Sequence, residues 1–431
     1  MPDHLTPEVG SNASHQMSAS KLSANRSTSC SGPSSPQNID FNKLETNLST
    51  NPILMANEFK VYNQKSYPVV YGELVILGYN GGLPQGERGR RKSKYLLYKR
   101  PNANGIKKSK HYVVKQPQST RAIQDKAQHS ISYTLSRSQA IISTISRFAC
   151  RILIERSPPH RARIYAAGFD SSRNIFLGEK ATKWQQNGEI DGLTTNGVLI
   201  MHPKSKFSNC SPCEAPNPQL GGVWREVSVC GEIYSVRETR SAAQKGTKID
   251  NESNVLTDGT LIDLCGATLL WRSSEGLTTS PTKKHLEEMI DELNAARPQC
   301  PVGLNTLVIP RRSGSLSEAD KQPYVYLHCG HVQGLHDWGQ NRNTNGRTCP
   351  MCLDISPVAK LTMGTEPSLY VDTAKPNFAF NPCGHMTSDK TARYWSQVPI
   401  PHGTNGFIAI CPFCATRTEG FVRLIFQDHV D

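Results

Sequence analysis

The sequence predicts a mainly β protein: a β-sandwich followed by a small zinc-bound α+β module. Three observations support this fold class. Between about residues 67 and 272, short runs rich in β-branched and aromatic residues alternate with Gly, Asn and Pro turns. One stretch, 281–298, has helical periodicity. Beyond residue 300, Cys and His recur in pairs whose spacing is typical of zinc ligands.

The composition bounds the class of protein. A chain of 431 residues is long enough for two or three domains. Its net charge of +13 favours acidic partners without choosing between nucleic acid, an acidic protein face and a phosphorylated segment. We find no signal-peptide pattern and no apolar run near the roughly 18 residues of a membrane span, so we expect a soluble, cytoplasmic protein. In that reducing compartment, the 13 cysteines are better explained as metal ligands than as disulfides.

The N-terminal 55 residues predict a disordered tail. They are rich in Ser, Asn, Thr and Pro and poor in aromatic residues. Such a segment buries too little apolar surface to offset the entropy lost on ordering.

Five segments predict the strands of the sandwich, and Asn80-Gly81, Asp191-Gly192 and Asp258-Gly259 predict turns. Many short strands without repeated helices favour a sandwich. The strand segments are VVYGELVILGY (69–79), ARIYAAGF (162–169), GVLIMHP (197–203), VWREVSVCGEIYSVRE (223–238) and GTLIDLCGATLLWR (259–272).

A connecting helix is predicted within 281–299. Its apolar residues recur at i, i+3, i+4 and i+7, and a proline stands at each end of the pattern. These apolar positions are Leu286, Met289, Ile290 and Leu293.

The basic run at 88–100 has two interpretations. We favour a solvated surface that is partly β-hairpin; the alternative is a nuclear-localisation or nucleic-acid patch. The run lacks interleaved aromatic residues, so nucleic-acid binding is not expected.

The C-terminal region repeats one motif, Cys-Gly-His followed by Cys-Pro-x-Cys. Eight candidate ligands suffice for two closed tetrahedral zinc sites, which are structural. The pairs are Cys329/His331, Cys349/Cys352, Cys383/His385 and Cys411/Cys414.

The ligand pairing is left open by the sequence. Each half could hold one ion, or the pairs could interleave in a cross-brace. Three nearby histidines, His328, His336 and His402, are expected at the surface or beside the ligands rather than on the metal. Cys300 is a candidate ninth ligand, but a buried free cysteine is the favoured interpretation. Trp338 and Trp395, one in each half, are predicted to pack between the sites.

The doubled Cys-His-Cys-Cys order resembles the RING-like pattern of the Pellino family of E3 ubiquitin ligases. The resemblance runs from about Met55 to the end of the chain. It is carried by segments such as YGELVILGYNGGLPQGERGRRKSKYLLYKRP, RIYAAGFDSSRNIFLGEKA, DGLTTNGVLIMHP, RPQCPVG, QPYVYLHCGHV and YWSQVPIPHGT.

The resemblance implies a domain organisation and an activity. Residues 56–280 would form a forkhead-associated (FHA) sandwich with a basic wing insertion, 281–299 a connecting helix, and 300–431 a RING-like module. That module would bind an E2 enzyme charged with ubiquitin. The implied substrates are phosphorylated kinases of the Pelle/interleukin-1-receptor-associated type in Toll and interleukin-1 receptor signalling. A RING positions the E2 and forms no covalent intermediate, so no catalytic residue is expected.

The resemblance also implies a phosphothreonine site, in which Arg and backbone donors bind phosphate. Ser146 and Arg147 match one of its loops, and Thr195 and Asn196 match another. The Gly-Arg loop of the family is missing, because SQAI (138–141) runs directly into ISTISRF (142–148). We therefore expect an internal deletion near 141–142 and weakened phosphothreonine binding.

One further departure concerns ubiquitin activation. Many RINGs carry a basic residue just after the last Cys-x-x-Cys, where this chain has Leu353 and Ala415; Arg417 is the candidate substitute. The alternative function is therefore a non-catalytic or dominant-negative adaptor in the same pathway.

Overall fold

The computed structural model describes residues 2–5, 69–79, 94–100, 149–167, 175, 177, 181–186, 188–204, 207, 222–310, 321–340, 346–402 and 406–427. Apart from 2–5, the predicted N-terminal tail lies outside these residues, and so does the predicted junction near 141–142. All described residues belong to one compact unit. Every described helix is too short or too polar to cross a lipid bilayer.

The mainly β fold class is confirmed. Among the described residues, twelve strands form the sandwich, and all their pairings are antiparallel. The order is β10-β9-β8-β11-β12-β2-β3 in one sheet and β1-β4-β5 in the other, with β6-β7 as a separate hairpin. The strands are β1 Pro2–Leu5, β2 Val70–Tyr79, β3 Lys94–Tyr98, β4 Cys150–Glu155, β5 Ala162–Ala166, β6 Thr182–Gln186, β7 Glu189–Leu193, β8 Leu199–Met201, β9 Arg225–Val227, β10 Ile233–Ser235, β11 Leu261–Asp263 and β12 Ala267–Ser273.

The seven-stranded sheet is buried on both faces. Successive side chains of a strand point to opposite sides. In β2, Leu74 and Ile76 pack with Ile152 of the three-stranded sheet in the sandwich core. Val75 and Leu77 join a second buried cluster on the outer face. Because both faces are covered, the strand is an almost unbroken apolar run rather than an alternation.

Of the three predicted turns, one is confirmed, one is wrong, and Asn80-Gly81 lies outside the described residues. Asp258-Gly259 is a turn, with Gly259 at φ +84°. Asp191-Gly192 lies inside β7, paired with β6. A Cβ atom on Gly192 would come within 2.7 Å of the carbonyl oxygen of Thr182. Glycine therefore serves close strand packing here.

The predicted connecting helix is α2, Lys283–Ala295, after a short α1, Ser274–Thr278. Thr282 caps α2 by accepting a hydrogen bond from the amide of His285. Leu286, Met289 and Ile290 are buried, as the periodicity predicts.

The cysteine-rich module, the candidate metal-binding module, follows α2 and is built from short strands and α3, Asp389–Gln397. Its sheets have the orders β14-β13-β17, β15-β16, β18-β20-β19-β23 and β21-β22. The strands are β13 Tyr324–Tyr326, β14 Val332–Gln333, β15 Arg347–Thr348, β16 Ile355–Ser356, β17 Val358–Lys360, β18 Thr362–Met363, β19 Phe378–Asn381, β20 His385–Thr387, β21 Ile400–His402, β22 Gly406–Ile408 and β23 Gly420–Arg423. A 3₁₀ turn spans Pro367–Leu369.

Candidate functional site

The first ligand group forms between two hairpins. The loop from β13 to β14 carries Cys329 and His331, and the loop from β15 to β16 carries Cys349 and Cys352. Nδ1 of His331 lies 3.3 Å from Sγ of Cys329 and 3.6 Å from Sγ of Cys349. All four ligand atoms lie within 4.8 Å of one another.

The second ligand group repeats this arrangement. Cys383 lies in the turn between β19 and β20, and His385 is the first residue of β20, with its Nδ1 at 3.4 Å from Sγ of Cys383. Cys411 and Cys414 complete the group, again with all ligand atoms within 4.8 Å. Each group therefore combines consecutive pairs, and the structure contains the sequential arrangement rather than the cross-brace.

The geometry and chemistry of both groups fit a metal ion. With metal–sulfur bonds of about 2.3 Å and metal–nitrogen bonds of about 2.0 Å, a tetrahedral site has ligand–ligand separations of roughly 3.5–3.8 Å. The sulfur–nitrogen distances are close to that range. A Cys₃His set is typical of closed structural sites. Either group could hold one ion.

Burial opposes the ionisation of some thiols in these groups, and hydrogen bonding favours the ionisation of another. Burial raises the pKa of Cys329 to about 12 and raises the pKa of Cys411 well above its ordinary value. Hydrogen bonds from the thiols of Cys383 and Cys411 lower the pKa of Cys414. Thiols are deprotonated when they bind a metal, so the ion itself would supply the stabilising charge.

The two Cys-x-x-Cys loops share one backbone conformation, which we call the knuckle. The amide of Leu353 donates to the carbonyl of Cys349 at 2.9 Å, and the amide of Cys349 donates to the carbonyl of Asp354 at 2.7 Å. In the second group the amide of Ala415 donates to the carbonyl of Cys411 at 2.8 Å. Leu353 and Ala415 both have positive φ, at 61° and 57°.

A third knuckle, without a ligand pair, occurs at Cys300, which is buried and lies outside both ligand groups. The amide of Leu304 donates to the carbonyl of Cys300 at 2.9 Å, and the amide of Cys300 donates to the carbonyl of Asn305 at 3.0 Å. Gly303 stands where the second cysteine would be, and its amide donates to Sγ of Cys300 at 3.3 Å. The likeness of CPVG to CPMC and CPFC could have revealed it.

The two metal-binding knuckles differ in exposure. Met351 and Leu353 of the first are 50% and 70% exposed. The equivalent Phe413 and Ala415 of the second are buried. The knuckle conformation is therefore duplicated, but only the first of these two presents an apolar tip to solvent.

Of the two tryptophans predicted to pack between the sites, only Trp395 is buried. Trp395 is fully buried and donates from Nε1 to the carbonyl of Leu369 at 2.8 Å. Trp338 is 45% exposed and is not a core anchor. The spare histidines, His328, His336 and His402, lie outside both ligand groups.

The predicted phosphopeptide residues are only partly described. Ser146 and Arg147 lie outside the described residues. Thr195 and Asn196 form the turn between β7 and β8, with Thr195 partly buried and Asn196 exposed. The turn is closed by the amide of Gly197, which donates to the carbonyl of Thr194 at 3.0 Å.

A buried ion pair, which the sequence did not predict, supports this turn. Arg237 donates to both carboxylate oxygens of Glu226, at 2.9 and 2.7 Å, and both side chains are at most 2% exposed. Arg237 also donates to the carbonyl of Thr194 at 2.9 Å. A Cβ atom on Gly197, at φ +69°, would lie 2.7 Å from Oε1 of Glu226. No local pattern pairs residues eleven apart in this way.

Family models match most of the chain. The model described as Pellino, FHA domain, matches residues 62–142 and 142–289. The model described as Pellino, RING domain, matches residues 293–431.

Curated relatives match over nearly their whole length. Protein pellino of Drosophila melanogaster is 59% identical over 406 aligned positions, which cover 84% of this chain and 94% of that protein. E3 ubiquitin-protein ligase pellino homolog 2 of Homo sapiens is 52% identical, covering 84% and 96%. E3 ubiquitin-protein ligase pellino homolog 3 of Mus musculus is 49% identical, covering 84% and 91%.

Proposed function

This chain belongs to the Pellino family, and on that premise we propose that it is a cytoplasmic RING-type E3 ubiquitin ligase. It would promote ubiquitin transfer from an E2 to phosphorylated kinases of the Pelle/interleukin-1-receptor-associated type in Toll and interleukin-1 receptor signalling. The observation that carries the proposal is the pair of Cys₃His groups inside the segment matched by the Pellino RING model.

The bound ions would be two structural Zn²⁺. The donor sets support zinc, since three thiolates and one imidazole suit this borderline-soft ion. Zinc here would supply folding energy. Four protein ligands in each group leave no open position for a metal-bound water, so the ions would take no part in the transfer chemistry.

The protein's own contribution would be positioning. In the proposed transfer, a substrate lysine attacks the E2–ubiquitin thioester, the ubiquitin–lysine amide forms and the E2 thiol leaves. Holding these groups in a reactive geometry lowers the barrier without a covalent E3 intermediate. We place E2 docking at the first knuckle, because Met351 and Leu353 are exposed and apolar whereas Phe413 and Ala415 are buried.

Substrate recognition through phosphothreonine is proposed to be weakened. The FHA model matches in two segments that meet at residue 142. The alignment with the Drosophila protein has 406 positions, but 84% of 431 residues is only about 362, so about 40 of its positions have no counterpart here. Both observations support the loss of the Gly-Arg loop. Thr195, Asn196, Ser146 and Arg147 would remain, and losing one charged hydrogen bond costs about 1.5–3 kcal/mol.

A non-catalytic adaptor is the second candidate function. It is favoured by the residues after the knuckles, where Leu353 and Ala415 carry no charge to contact ubiquitin. Arg417 is exposed two residues beyond Ala415 and is the candidate substitute.

An E2-dependent autoubiquitination assay on the zinc-loaded chain separates these functions. The ligase predicts ubiquitin chains that are lost in Cys349→Ala and after chelation. Cys300→Ala is the matched control, because it removes an equally buried thiol from the knuckle without a ligand pair. Leu353→Asp should lose chains while retaining zinc, because it alters only an exposed tip. Absence of chains from the zinc-loaded chain with several E2 enzymes would favour the adaptor.

A further inference from the structure

The metal-binding module forms a third layer on the sandwich. Six side chains from the outer face of the seven-stranded sheet belong to the same buried cluster as Leu286 of α2 and Trp395 of α3. Burial of apolar surface at about 25 cal/mol per Å² makes such a continuous core a strong attachment. The six side chains are Val75, Leu77, Leu199, Met201, Leu261 and Leu270.

Arg272, at the end of β12, joins the two layers through polar contacts. Its side chain is fully buried. Nη1 donates to the carbonyls of Ser368 and Tyr370 in the segment that connects the two metal groups. Nη2 donates to Oγ of Ser280 at 2.8 Å, and Nε to Oδ1 of Asp258 at 3.0 Å. The rigid guanidinium fork fixes the direction of each of these bonds.

A second polar contact lies beside it. Nζ of Lys94 in β3 lies 2.7 Å from Oε1 of Glu366 and 3.2 Å from Oε1 of Glu73 in β2. Oγ of Ser368 also hydrogen-bonds Glu73. Burial opposes the charge on Lys94, but the two carboxylates outweigh it, and the pKa of Lys94 is raised. Side chains of β2 and β3 of the sandwich thus bind the turn at 366–368.

A third contact is made by the indole of Trp224, immediately before β9. Nε1 donates to the carbonyl of Pro399 at 2.6 Å, and the ring is 5% exposed. Pro399 follows α3, whereas the residues bound by Arg272, Ser368 and Tyr370, precede it. The sandwich therefore contacts the module on both sides of α3 in the sequence.

The contacts of Arg272 lead on to the second metal group. The ring of Tyr370, whose carbonyl accepts from Arg272, packs 5.6 Å from the ring of Phe413 between Cys411 and Cys414. Phe413 in turn stacks on the ring of His385 at 5.9 Å. A displacement of the 368–370 backbone would therefore reach a metal ligand through two aromatic contacts.

We propose that Arg272 is a positioning residue for ubiquitin transfer, holding the metal-binding module at one fixed orientation to the sandwich. The inference rests on the proposed ligase function. Only four residues, all of them described, separate α1 from α2, so the connection from the sandwich to α2 is short. A fixed orientation lets only some lysines of the chain, or of a substrate held on the sandwich, reach the E2-bound thioester. Arg272 would thus set which lysines are modified.

The test is the distribution of autoubiquitination sites, mapped by mass spectrometry on the full chain. The chain is diluted until the rate per molecule no longer depends on concentration, so that modification is intramolecular. Arg272→Gln and Trp224→Phe loosen the contact. Arg225→Gln is the matched control, because Arg225 also pairs with a carboxylate, Glu252 at 2.6 Å, within the sandwich. We expect the two loosened variants to spread modification to new lysines, with at least a three-fold change in relative site occupancy, and the control to keep the wild-type pattern.

A role in folding alone would reduce modification at all sites equally, and that result would overturn the proposal. An unchanged pattern in a folded variant would also overturn it. If Arg272→Gln does not fold, Trp224→Phe decides by the same criterion. Calorimetry gives a readout independent of activity: one unfolding transition for wild type, and separate transitions for sandwich and module in Trp224→Phe. Two transitions already in wild type would contradict the fixed orientation, whereas absence of any ubiquitin chains would contradict the ligase function instead.

Discussion

The backbone amide of Ile425 donates to the carbonyl oxygen of Gly330 at 2.9 Å. The amide of Val332 returns a bond of 2.9 Å to the carbonyl of Ile425. These bonds attach the segment that follows β23, at the end of the second ligand group, alongside the ligand loop of the first. A hairpin of this size would otherwise leave backbone donors unpaired.

The reverse contact also exists. The amide of Thr362, two residues after β17, donates to the carbonyl of Gly384 at 3.2 Å, and Gly364 donates to Met386 at 3.0 Å. The last segment of each half of the module therefore makes backbone hydrogen bonds to the ligand hairpin of the other half, although the two ligand sets are separate.

Gly330→Ala tests the first of these contacts. Gly330 has φ +80°, and a Cβ atom there would overlap the carbonyl oxygen of Arg423. The left-handed backbone alone costs roughly 1–2 kcal/mol for a residue with a Cβ, and the overlap adds to this. We expect a loss of unfolding free energy of at least about 2–3 kcal/mol, measured by denaturant unfolding of the zinc-loaded chain.

The matched control is Gly188→Ala. Gly188 has φ +78° but nothing within 4 Å of its Cβ position, so it isolates the backbone term. Equal destabilisation by the two substitutions would show that the contact with Arg423 is unimportant.

Truncation after Arg423 tests whether the segment after β23 supports the first ligand loop. It removes Leu424 and Ile425, and with them both bonds to the first ligand loop, yet keeps all eight ligands. We expect zinc to leave the first group at least ten-fold faster, measured with a chromogenic chelator. Truncation after Gln427 keeps both bonds and should release zinc at the wild-type rate. Equal rates for the two truncations would show that the bonds of Ile425 do not support the first ligand group.

How far the sequence predicts this molecule depends on how local each feature is. Thr282, Leu286 and Ile290 reveal α2 because capping and periodicity act within a few residues. Three features escaped prediction: the pairing of the metal ligands, the Arg237–Glu226 pair and the contacts of Arg272. Each is set by how distant strands meet, which no short spacing encodes.

We expect the buried Arg237–Glu226 pair to stabilise the turn of Thr195 and Asn196. Arg237→Met would leave the Glu226 carboxylate buried without its partner, which costs about 3–5 kcal/mol. Glu226→Leu combined with Arg237→Met removes both charges and should recover most of that loss. The measurement is a double-mutant cycle of unfolding free energies.

Additive losses in that cycle would contradict the coupling. Arg225→Met with Glu252→Leu is the matched control, because that ion pair is 20% and 30% exposed. A partly exposed pair contributes little, so each of its single substitutions should cost below about 1 kcal/mol.

The metal content of paired substitutions distinguishes sequential from cross-brace sites in solution. In the sequential arrangement Cys329 and Cys349 share one group, so Cys329→Ala with Cys349→Ala should retain one zinc per chain. Cys329→Ala with Cys383→Ala damages both groups and should retain none. A cross-brace that pairs the first ligand pair with the third predicts the opposite result for the two double variants. Elemental analysis of each variant after gel filtration measures the zinc content, and Cys300→Ala should keep two ions because Cys300 lies outside both groups.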